Sequence, residues 1–217
     1  MFIINDGSQG LYVVGVIELL LISAVMLHSL REWGRDVLRE TVVDKRHAPP
    51  AGARLRIGVA AFILLDALFF AALVWFVRAV EVLQPTDLPF LMTLILLLSN
   101  CAALWARQAV LDGRREDTVR ALGIAVLLGL SFTFFQGYEY GIAELHFKDN
   151  LQSNAFYAAT GIYGLHALAG SVFLVACLYR ALKGRFTPQS HFALEAAAWY
   201  WHFVAAAWIF LFAAMYW

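Results

Sequence analysis

Charge is scarce in this chain. Asp, Glu, Lys and Arg make up 15% of its 217 residues, where soluble domains carry roughly 25%. With a mean hydropathy of +0.70, the shortage excludes an ordinary soluble domain and implies a polytopic membrane protein. The 16 basic and 16 acidic residues cancel, which leaves no bulk attraction for nucleic acid. Cysteine is nearly absent. Cys101 and Cys177 both fall inside apolar runs, too few and too far apart for a disulfide framework or a zinc site, and are expected to be small buried hydrophobes. No phosphate-binding glycine loop, HExxH motif or Ser/Cys nucleophile motif occurs, so no catalytic residue and no metal ligand is assigned. The start, MFIINDGSQG, lacks a basic segment before an apolar run too long for a signal peptide, so no cleavable signal is expected.

What the chain has is long apolar runs. Six reach membrane-spanning length, at about 11–31, 57–80, 88–109, 119–141, 155–180 and 196–216. The expected fold is all-α: one transmembrane helical domain over 1–217, a bundle of six spans. The last run carries Trp199, Tyr200 and Trp201 near its start and Tyr216 and Trp217 at its finish, as aromatic belts do at headgroup level. All of the 16 basic residues except Arg78 and Lys148 lie on one side of the expected topology. Positive charge stays cytoplasmic, so both termini are expected outside, in the inner (cytoplasmic) membrane of a bacterium.

Polar residues inside the runs are the candidates for function, because ionisable groups at bilayer depth cost roughly 2.5–3.5 kcal/mol on insertion scales. Asp66 and Glu18 are expected protonated or partnered in the bundle interior. Ser99 and Asn100 read as interhelical glue, about 0.6 kcal/mol each. Gln136, Glu139 and Tyr140 share a helix face, and their place near the outer end predicts that Glu139 meets water. Gly161, Gly164 and Ser171, with Ala167 beside them, form a small-residue stripe where a neighbouring helix can approach. His166 and His202 open the alternative of a membrane heme protein held by those two histidines. A small transporter would also explain buried charge, but neither internal repeats nor paired broken helices occur.

One pattern goes further. Phe192, Glu195, Ala196, Ala197, Ala198, Trp199, Tyr200, Trp201, His202, Phe203 and Val204, followed by Trp208, Phe210, Leu211, Tyr216 and Trp217, resemble the C-terminal helix of subunit III of heme–copper cytochrome c oxidases. Trp33, Arg35, Asp36, Val37, Arg39 and Glu40 in REWGRDVLRE, then Gln136, Glu139, Tyr140 and His166, extend the resemblance over roughly 31–217. It implies a cofactor-free, non-catalytic subunit of an oxidoreductase complex that supports proton uptake, turnover stability and lipid binding. Heme and copper are then expected in subunit I, and copper in subunit II if cytochrome c is the donor. The implied partners are subunits I and II and phospholipids. Asp66, Glu18 and Glu139 become the buried, proton-related candidates; His166, Glu195, Trp199 and His202 become the lipid-cleft or structural polar ones. The chain departs from the family pattern at Asp66 (usually Glu), Tyr163 (usually the first of two His) and Ala205 (usually acidic). It also reads as six helices where the common form has seven. A quinol oxidase subunit III and a nitric oxide reductase accessory protein are the related alternatives; REWGRDVLRE favours the cytochrome c branch.

Overall fold

The computed structural model describes residues 49–78, 87–142 and 151–216. The expected first span, with Glu18, lies outside them. The described chain is helical: α1 (Pro49–Arg78), α2 (Asp87–Leu111), α3 (Arg115–Ile142), α4 (Leu151–Leu182) and α5 (Phe192–Tyr216). Each contains a stretch of 23 to 27 residues apolar enough to cross a membrane, about 35–40 Å of helix. The helices coincide with the last five apolar runs and overshoot them by a few residues at most ends.

Glycine stops two of the helices. Gly113 (φ 71°) and Gly184 (φ 65°) adopt the left-handed conformation. At each, the glycine N–H bonds the carbonyl three residues back, Val110 or Ala181, and the next N–H bonds the one five back, Ala109 or Arg180. This double closure satisfies carbonyls that a helix end leaves orphaned. Arg115 adds to it, donating from Nη2 to the Leu182 carbonyl at 2.7 Å. The ends of α2 and α4 and the starts of α3 and α5 thereby lie at one end of the bundle, called here the basic end for Arg107, Arg114, Arg115, Arg120, Arg180, Lys183 and Arg185.

α5 is the centre of the packing, against α1, α2 and α4, while α3 joins α2 to α4. α5 buries two tryptophans, Trp201 and Trp208, and Trp201 lies between Gly129 of α3 and Gly170 of α4. A Cβ at Gly170 would lie 2.6 Å from the indole Cε3, and one at Gly129 would lie 3.0 Å from Cζ2 on the opposite ring edge. Both glycines therefore exist to admit this ring. The expected stripe on α4 does meet a neighbour: Ala167 and Ser171 are fully buried, and Gly164 faces the Gln136 amide. The tightest approach is nonetheless at Gly170, outside that stripe. Cysteine needs a correction. Cys177 is buried, but Cys101 is exposed on α2, because the residues turned to α3 and α5 on that helix are Ser99, Asn100, Ala102 and Ala103.

α2 and α5 run antiparallel and are joined by polar rungs. Arg107 Nη2 stands 3.6 Å from Glu195 Oε1. Asn100 Oδ1 bonds His202 Nδ1, and Asn100 Nδ2 donates to the Trp201 carbonyl at 3.4 Å. Trp201 Nε1 donates to Ser99 Oγ at 3.0 Å, and Ser99 donates to the Ala125 carbonyl at 2.8 Å. Trp208 Nε1 donates to Thr93 Oγ1 at 2.8 Å. Positions 93, 100 and 107 recur every seven residues, as do 195 and 202 and again 201 and 208. That period keeps one seam of each helix turned to the other.

Candidate functional site

The intramembrane polar groups gather into three levels. At the basic end, Glu195 in the first turn of α5 is buried (side chain 7% exposed) and takes an arginine on each carboxylate oxygen: Arg56 of α1 at 2.9 Å and Arg107 of α2 at 3.6 Å. A carboxylate at a helix N-terminus also meets the positive end of the backbone dipole. Three helices meet at this residue. One negative charge faces two positive ones, so the clamp carries a surplus of one.

Deeper, Asp66 of α1 meets His166 of α4. Asp66 Oδ2 and His166 Nε2 are 3.4 Å apart, with side chains 13% and 8% exposed. His166 Nδ1 lies 2.9 Å from the Ile162 carbonyl. A carbonyl only accepts, so Nδ1 carries a hydrogen and Nε2 is the nitrogen turned to the carboxyl. Two bare acceptors at that spacing would repel, so the pair is stable with a proton on one partner or the other. Aromatic rings wall it: Phe70 stands edge-on to the imidazole with centroids 5.0 Å apart, and to Phe203 at 5.7 Å. Tyr163, where the family resemblance leads one to look for histidine, fills its place as an aromatic. It is fully buried against Trp208 (5.0 Å) and Phe132 (5.8 Å).

At the far end, Gln136 Nε2 donates to the Thr160 carbonyl at 2.8 Å and Tyr140 Oη to Thr160 Oγ1 at 2.9 Å. Both tie α3 to α4. Glu139 turns the other way. It is 6% exposed, and its Oε1 accepts from Tyr216 Oη of α5 at 2.9 Å. The expectation that Glu139 meets water is overturned, because the last turn of α5 folds over it.

The structure thus brings Asp66 to His166, Glu195 to Arg56 and Arg107, His202 to Asn100, and Glu139 to Tyr216. Trp199 is half-buried on α5. Sequence reasoning did not select Arg56, Arg107, Trp201 or Tyr216 as partners. Arg56 lies 139 positions from Glu195 and Trp201 lies 102 from Ser99, and no local spacing encodes such pairs. Axial heme ligation by His166 and His202 does not fit these contacts. His166 turns both nitrogens to Ile162 and Asp66, and His202 turns Nδ1 to Asn100. Among the described residues no group of three or more His, Cys, Asp and Glu is placed to hold a metal ion.

These features define a class: a multi-pass helical membrane protein whose charged and polar interior is joined helix to helix. The comparisons narrow it. Residues 3–217 match the family described as cytochrome c oxidase subunit III. A protein of Chondrus crispus named cytochrome c oxidase subunit 3 is 38% identical over 223 residues, covering 95% of this chain and 82% of that one. Proteins of the same name from Oncorhynchus masou (38%, 90% of this chain and 81% of the other) and Salmo salar (37%, 89% and 80%) are similar as well. The chain belongs to the cytochrome c oxidase subunit III family.

Proposed function

We propose that this chain is the cofactor-free accessory subunit III of a proton-pumping heme–copper cytochrome c oxidase. The match of residues 3–217 to that family carries the reading. The helix-to-helix closure of buried polar groups supports a stabilising role, since Asp66 and His166, Glu139, Glu195 and His202 each meet a residue of another helix. Heme and copper then belong to subunit I, and copper to subunit II as electron acceptor from cytochrome c. The Asp66–His166 pair, which holds a proton within the bilayer, is the group that supports proton uptake, and Glu195 with its arginines holds the lipid-facing helices in place. In our reading the chain is a single domain of six spans in the inner membrane of a bacterium, with the basic end cytoplasmic and both termini outside. Reporter fusions at residues 1 and 217 test that orientation.

The decisive experiment is a reduced-minus-oxidised visible spectrum of the gently solubilised, tagged complex and of this chain after separation. Heme bands in the complex and none in the separated chain are expected. Heme that stays with the separated chain refutes the cofactor-free reading, and a complex without heme refutes the oxidase. Asp66→Ala in the purified complex is expected to keep heme content and shorten catalytic lifetime or slow proton uptake; unchanged lifetime and uptake would remove Asp66 from that role.

A further inference from the structure

We draw no further inference here: the strongest candidate, the cavity at the basic end lined by Arg115, Thr118, Ala181, Phe186 and Pro188, offers a guanidinium already bonded to the Ala181 and Leu182 carbonyls, and nothing in the structure shows what covers it.

Discussion

Replacing Gly170 by alanine should be among the most damaging single-methyl additions to this chain. The new Cβ would sit 2.6 Å from Trp201 Cε3, 2.8 Å from Cζ3 and 3.4 Å from Tyr200 Cε1. Ordinary carbon contacts need about 3.5–4.0 Å, so something must move by about 1 Å. The indole cannot supply that movement cheaply. Its opposite edge already abuts Gly129, where a Cβ would lie 3.0 and 3.1 Å from Cζ2 and Cη2, and Nε1 is tied to Ser99. Either α4 withdraws or the indole gives up its hydrogen bond. Overpacking costs roughly 1–3 kcal/mol and an interhelical hydrogen bond in a membrane about 0.6, so ~2–3 kcal/mol is expected. At 1.4 kcal/mol per decade this is roughly 30- to 150-fold in the folding equilibrium. Equilibrium unfolding of the purified chain in mixed SDS and mild-detergent micelles, followed by circular dichroism, measures it. Gly123→Ala is the control, since nothing lies within 4 Å of a Cβ there. In a double-mutant cycle, Trp201→Phe should absorb most of the Gly170→Ala penalty. Equal stability of Gly170→Ala and the control would refute the wedge, as would additive effects of the two substitutions.

Other substitutions probe the polar levels. Glu195→Gln should destabilise by ~1–2 kcal/mol in the same micelles, less than the 3–5 typical of a fully buried pair because solvent reaches both guanidiniums. Tyr216→Phe removes the donor to Glu139 and should cost ~1–3 kcal/mol. Adding Glu139→Leu should recover part of that loss, since the carboxyl is then no longer left unpaired. In the α2–α3 connection, Arg114 bonds Asp112 at 2.9 Å and holds its carboxyl below the ordinary aspartate value. A depressed carboxyl contributes stability above its unfolded value and loses it as pH falls through the folded one. Asp112→Asn should therefore be less stable than wild type at neutral pH, with the difference closing below about pH 4.

The last five spans were legible because bilayer thickness sets a length that composition alone reveals. Runs at 88–109 and 119–141 became α2 and α3 with only their ends extended. Those ends were missed where glycine geometry, as at Gly113 and Gly184, closes the helix beyond the apolar run. Asp66, His166 and His202 were legible as polar groups in need of partners because each is costly at bilayer depth without one. Which residue answers which was not legible. Asp66 and His166, or Glu195 and Arg56, are joined only by how helices distant in sequence come to lie side by side. The same holds for Gly129 and Gly170, which look like two ordinary membrane glycines until one ring is seen to lie between them. Glu139 was misjudged because its position near a span end argued for water, whereas the cover comes from the far end of α5.

The heptad-spaced rungs between α2 and α5 also bear on how the protein is made. Ser99, Asn100 and Arg107 emerge from the ribosome long before Glu195, Trp201 and His202, which belong to α5, synthesised after α3 and α4. Until that helix inserts, Ser99 has only its bond to α3, and Asn100 and Arg107 lack their partners on α5. A slip of one helical turn on docking, about 5.4 Å, would break every rung together, so partial alignment gains little. The 25 residues of α5 thus complete the polar seam. A chain that stops before α5 keeps hydrogen-bonding groups of α2 exposed in the bilayer, and one that includes α5 hides them in a single step.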